Sequence, residues 1–152
     1  MRIGIISDTH GRLNRQVAER LRDVDCILHA GDFDDQSVLQ ALDNLAPVYG
    51  VRGNNDWGGW ARELPRTLRI DMGGVSFCMA HRREEIPWNL TGVDVVVCGH
   101  THQYKEEQIM GRLWLNPGSC SFPRPYSMAP TMVLMETDEE GGYSIEKVEL
   151  ER

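Results

Sequence analysis

Five short polar clusters hold side chains of the types that bind metal ions: Asp8-Thr9-His10, Gly31-Asp32, Gly53-Asn54-Asn55-Asp56, His81 and Gly99-His100-Thr101-His102. Carboxylate oxygens, imidazole nitrogens and an asparagine carbonyl together suit borderline divalent cations. Asp8 and His10 are two apart, so on extended backbone they project the same way, and His100 and His102 share that spacing. Asp32 has two oxygens and the capacity to bridge two ions. Two ions about 3.5–4 Å apart would clamp a phosphoryl group and activate a water between them. Taken singly the clusters have plainer readings. Asp-x-His is equally a capping Asp beside a surface His, Gly-Asp and Gly-Asn-Asn-Asp are ordinary turns, and a single His81 reads as a hydrogen-bonded core residue. The ordered set of all five is what points to chemistry.

Each cluster follows an apolar run, and those runs are the elements that must position it. Residues 2–7 read as a strand, 12–23 as a helix with Leu13, Val17 and Leu21 on one face, and 24–29 as a second strand. Asp34 or Asp35 caps a helix carrying Val38, Leu39, Leu42 and Leu45, and 46–51 form a third strand. Strand–helix–strand–helix–strand predicts parallel pairing with right-handed crossovers. The remainder is strand-rich. Residues 66–71 and 75–80 flank Gly73-Gly74, and 93–98 read as a buried strand. Short strands over 107–115 surround Gly111-Arg112, and 131–137 and 143–150 alternate about Gly141-Gly142. The expected fold class is α/β: two packed mixed β-sheets flanked by helices, with loops at the strand ends free to converge on one face.

Composition sets limits on partners. With 152 residues the chain reads as one domain spanning 1–152, burying about 69% of its unfolded surface and leaving roughly 7,800 Å² exposed. Hydrophobic residues are 41% and charged residues 26%, which excludes disorder as the main character. No apolar run reaches the roughly 20 residues of a membrane span, and residues 1–8 lack a signal peptide's pattern, so the expectation is a cytoplasmic protein. A net charge of −7 repels a long nucleic acid but not a phosphate ester, because bound metal inverts the local charge. Cys26, Cys78, Cys98 and Cys120 read as reduced core thiols.

In this order the five clusters resemble the calcineurin-like metallophosphoesterase superfamily. Asn116-Pro117-Gly118-Ser119 and the small size narrow the likeness to the YfcE-type small phosphodiesterases, over residues 2–150. The resemblance implies that Asp8, His10, Asp32 and His102 hold a first ion, that Asp32 bridges, and that Asn54, His81 and His100 complete a second site. It implies two divalent ions, manganese ahead of iron, zinc, nickel, cobalt or magnesium. The implied activity is hydrolysis of a small phosphate diester by attack of a metal-bridging hydroxide. The alternatives on the same fold are a phosphomonoesterase or protein phosphatase, and a non-catalytic scaffold such as the retromer subunit.

Two positions depart from the wider pattern. Many superfamily members carry His after the Asn of the Gly-Asn motif, as a leaving-group acid; here Asn55 stands there and has no proton to give at neutral pH. That favours diester over monoester cleavage. After His81 the chain has Arg82-Arg83 in place of Gly-His. Arg83 is a candidate phosphate contact, against a solvated charge beside Glu84 and Glu85, and the stretch to Asp94 is short, which implies a more open site or one completed by a second copy of the chain. Asp56 is expected to orient the loop and Asn55 to sit with it beside the reaction. His29 reads as a buried supporting residue. Trp57 and Trp60 read equally as a base-stacking pair and as a hydrophobic lid.

Overall fold

The computed structural model describes residues Met1–Arg152. Ten strands alternate with three short helices: β1 (Arg2–Ile6), α1 (Arg15–Arg20), β2 (Cys26–His29), α2 (Gln36–Asp43), β3 (Val48–Gly50), α3 (Gly59–Arg62), β4 (Thr67–Met72), β5 (Val75–Ala80), β6 (Val95–Val97), β7 (Tyr104–Ile109), β8 (Arg112–Pro117), β9 (Thr131–Thr137) and β10 (Tyr143–Glu149). They form two five-stranded mixed sheets, ordered β10-β9-β1-β2-β3 and β4-β5-β6-β8-β7. In the first sheet β1, β2 and β3 run parallel, as the crossover pattern requires. In the second, β5, β6 and β8 run parallel. The expected two-sheet architecture is therefore present, with an accessible surface of 7639 Å².

Strand alternation builds the core. Ile3 and Ile5 of β1, Cys26 and Leu28 of β2, and Val133 and Met135 of β9 face Phe77 and Met79 of β5, Val95 and Val97 of β6, and Leu113 and Leu115 of β8. The other face of the first sheet packs Ile27, Met132 and Leu134 against Val17 of α1 and Val38 and Leu42 of α2. Asn14 and Asp35 cap these helices through the main-chain N–H groups of Gln16 and Ser37. The helical cover is one-sided. Behind the second sheet the short stretch after His81 supplies only a 3-10 turn, Arg83–Glu85, and a loop whose Leu90 and Val93 meet Cys78, Val96 and Cys98. All four cysteines are buried and free, as expected. No helix is long and apolar enough to cross a membrane.

Candidate metal centre

Parallel strands end at the same edge of a sheet, and here the two edges coincide. Asp8 and His10 follow β1, Asp32 and Asp34 follow β2, Asn54, Asn55 and Asp56 lie beyond β3, His81 follows β5, and His100 and His102 follow β6. Two separate donor groups result, Asp8, His10 and His102 in one and Asp32, His81 and His100 in the other, with a third, His10, Asp32 and Asp34, overlapping both; the donor atoms of each lie within 4.8 Å of one another. Asp32 Oδ2 sits between the first two, 3.6 Å from His10 Nε2 and 3.2 Å from His81 Nε2.

The loops hold this arrangement in unusual backbone. Asp8, His10, Asp32, Asp34, His100 and His102 all have φ between +48° and +73°, the left-handed region. Such residues carry strain that the surrounding contacts must offset, and they concentrate at functional sites. The extended geometry expected for Asp8/His10 and for His100/His102 is thus corrected. Both members of the first pair reach one group because the chain curls. The members of the second pair diverge, His102 towards Asp8 at 3.3 Å and His100 towards the group of Asp32 and His81.

Hydrogen bonding decides which ring nitrogen faces the centre. His81 Nδ1–H donates to the Ala30 carbonyl at 2.7 Å, and His102 Nδ1–H to the Phe122 carbonyl at 2.6 Å. His10 Nδ1–H donates to Asp34 Oδ2 at 2.9 Å. All three acceptors lack a hydrogen, so each Nε2 presents a lone pair to the centre. His10 Nε2 and His102 Nε2 are 3.0 Å apart, and Asp8 Oδ1 lies 3.6 Å from the first and 3.3 Å from the second. Lone pairs and carboxylate oxygens at such range repel unless a cation lies among them. Asp8 Oδ1, Asn54 Oδ1 and His81 Nε2 are moreover buried with no hydrogen-bond partner; the last is near Asp32 but out of line for a hydrogen bond. Buried orphans of this kind are rare and costly, and two of them, Asp8 Oδ1 and His81 Nε2, lie 3.8 Å apart. The donor set fits divalent metal ions.

The supporting contacts sort the remaining candidates. Asn55 donates to both oxygens of Asp32, from its N–H at 2.9 Å and its Nδ2 at 3.2 Å, and so acts on a candidate ligand. Asp56, 1% exposed, accepts N–H donors from Asp32, Gly53 and Asp34, tying two loops together. Asp34, expected as an alternative helix cap, instead meets His10; Asp35 is the cap. His29 is buried and stacks on Phe33 at 3.6 Å, its Nδ1 accepting from the Gly31 N–H and its Nε2 paired with Thr9 Oγ1. Trp60 packs edge-on against Phe33 inside the helical layer, so the two tryptophans do not form a pair; Trp57 alone is on the surface, with Arg52 over its ring. Arg83 contacts neither Glu84 nor Glu85. It pairs with Glu107 at 3.2 Å and covers the Trp114 ring in a cleft of about 270 Å³ that His100 also lines.

Ser7 and Ser119 were not legible as site residues. The Ser7 hydroxyl donates to Asp8 Oδ2 at 2.6 Å, and the Ser119 hydroxyl to the Asp8 carbonyl at 2.7 Å. The Asn-Pro-Gly-Ser run was the one sequence signal for Ser119, and Ser7 had none. Asn116 Nδ2 donates to the Gly99 carbonyl at 2.9 Å, so that run braces the β1 and β6 loops together.

Residues 1–140 match the calcineurin-like phosphoesterase superfamily domain. The chain belongs to that superfamily. A probable metallophosphoesterase of Methanothermobacter thermautotrophicus is 34% identical over 92% of this chain and 88% of its own. A phosphodiesterase of Methanocaldococcus jannaschii is 28% identical over 92% and 95%. The solved Vps29 of Entamoeba histolytica, complexed with Zn²⁺, superimposes with a TM-score of 0.78 over 98% of this chain and 99% of its own, at 23% identity, a likeness of fold. The two-sheet frame of this metallophosphoesterase domain is thus shared with a known structure.

Proposed function

We propose that this metallophosphoesterase hydrolyses small phosphate diesters with two divalent metal ions, manganese first among them. The observation that supports it most is the convergence of Asp8, His10, Asp32, His81, His100 and His102, with Asp8 Oδ1, His81 Nε2 and the nearby loop's Asn54 Oδ1 buried and unpaired. Asp8, His10 and His102 would hold one ion and Asn54, His81 and His100 the other. Asp32, between His10 and His81, would touch both. Such ions, when bound, neutralise charge on phosphoryl oxygens and activate water at neutral pH. Asn55 holds both oxygens of Asp32 and supplies no proton, so the leaving group departs without a side-chain acid at that position. A diester with a stable leaving group tolerates this better than a monoester does. The Arg83 cleft beside His100 would take one arm of the ester.

Metal binding alone does not separate an enzyme from a scaffold, since a Vps29 of this fold was solved with Zn²⁺. Turnover does. Elemental analysis should give close to two equivalents of metal, and a panel of matched esters should show faster turnover of diesters than monoesters. Asp32→Ala should lose at least about 100-fold in kcat, on the scale of losing a metal-dependent charge stabiliser. Arg83→Ala should raise KM with kcat little changed, the pattern of lost uniform binding. Full activity in Asp32→Ala, or no turnover of any ester by the metal-loaded protein, would overturn the proposal.

A further inference from the structure

Three candidate ligand histidines turn Nδ1 away from the centre, and one of them has a different acceptor. His81 and His102 donate to main-chain carbonyls, whereas His10 donates to the carboxylate of Asp34. A carboxylate draws the Nδ1 proton towards itself more strongly than a neutral carbonyl does. It locks the ring and enriches Nε2 in electron density, which strengthens it as a ligand.

The placement of Asp34 is itself built. Its backbone is left-handed, at φ +68°, and its N–H donates to Asp56 Oδ1 at 2.9 Å. The other Asp56 oxygen accepts from Asp32 at 3.0 Å and Gly53 at 2.7 Å. One buried carboxylate therefore sets the curve of the loop that points Asp34 at His10. Nothing comparable serves the second group: His81 is backed by a carbonyl, His100 is partly exposed, and Asn54 is neutral.

We propose that Asp34 is a positioning residue that fixes His10 with Nε2 towards Asp8 and His102 and makes that group the tighter of the two metal sites, so that loading is ordered. The inference rests on the two-ion reading above. Zn²⁺ and, separately, Mn²⁺ are titrated calorimetrically into the metal-stripped full chain. Two steps are expected in the wild type. Asp34→Ala should weaken the tighter step by about 10- to 100-fold and leave the weaker step nearly unchanged. Asp34→Asn keeps an oxygen able to accept from Nδ1 and readily adopts left-handed backbone, yet lacks the charge; it should lose about tenfold. A role confined to shaping the turn predicts that Asp34→Asn binds like the wild type, and that result overturns the proposal. Circular dichroism and melting of the metal-free variants confirm that each is folded, and Asp34→Asn decides the matter if the alanine variant is not. His102→Ala separates the two levels of inference. If it loses the tighter step while Asp34→Asn does not, only the role of Asp34 fails. If it binds both equivalents like the wild type, the metal reading of the site fails.

Discussion

Asp8 is fully buried, and burial alone would push its carboxyl group up. The imidazoles of His10 and His102 close to it, the charge of His81 and the Ser7 hydroxyl outweigh that and hold it well below the ordinary carboxylate range. His10 is displaced the other way. Contact with Asp8 raises it to about 9 against the opposing effect of burial, and Asp34 adds to the rise. A proton on His10 thus does in the metal-free protein what a cation does in the loaded one. Its stabilising effect on the metal-free fold is complete below pH 6.5 and is lost as pH rises through about 9. Metal must displace that proton. Affinity should therefore rise by up to about tenfold per pH unit between 6.5 and 9, then level off. Calorimetry in buffers of differing ionisation heat measures the proton released, and a pH-independent affinity with no release would contradict the assignment. His29 is the counter-case: burial holds it down to about 3, so it stays neutral in the core and takes no part in this exchange.

At the scale of elements, loops from different sheets approach so closely that side chains must be absent at particular points. A Cβ on Gly99 would lie 2.7 Å from Asp8 Oδ2 and would also collide with Ser7 Oγ. Gly31, at φ +100°, leaves a hypothetical Cβ 2.7 Å from His81 Nδ1. Gly99→Ala should therefore cost about 1–3 kcal/mol, as overpacking does, and weaken metal binding by pushing the β6 loop off Asp8. Gly59 in α3 has open space around it. Gly59→Ala should be neutral or stabilise by about 0.5–1 kcal/mol. Urea unfolding of the two variants checks the contrast, and a Gly99→Ala protein as stable as the wild type would show that the loops can separate freely. Much of the site was legible along the chain at this scale. Each polar cluster ends an apolar run, and alternation with crossover helices makes those runs parallel. The orientation within the pairs Asp8/His10 and His100/His102 was not legible from their spacing. The two-residue rule holds for extended chain, and both pairs occupy left-handed backbone stabilised by contacts from other loops.

For the whole molecule, metal bound as proposed would cross-link the two sheets. Asp8, His10, Asp32 and Asn54 come from the first, and His81, His100 and His102 from the second. Ions that bind only the folded chain stabilise it by mass action, about 2.7 kcal/mol at a hundredfold excess over Kd. For a domain of this size that is a rise in Tm of roughly 5–11 °C. Calorimetric melting with metal and after chelation tests this; identical transitions would show that the ions do not join the sheets. The one-sided helical layer also belongs here, since the stretch after His81 is too short to cover the second sheet with an α-helix and leaves Trp88 at 95% exposure.

Reading along the chain was enough for the donor chemistry, the succession of strands along the chain and the two-sheet class, because residue type and periodicity are local properties. It was enough as well for His29, Cys26, Cys78 and Cys98, whose neighbours are apolar strand residues. Seeing how left-handed backbone turns His100 and His102 apart needed the folded chain, as did turning Asp34 from a helix cap into the partner of His10 and packing Trp60 against Phe33. Those outcomes depend on contacts between residues far apart in sequence, 24 positions for His10 and Asp34 and 92 for His10 and His102. No local pattern encodes them; they exist only once two sheets bring five loops to one edge.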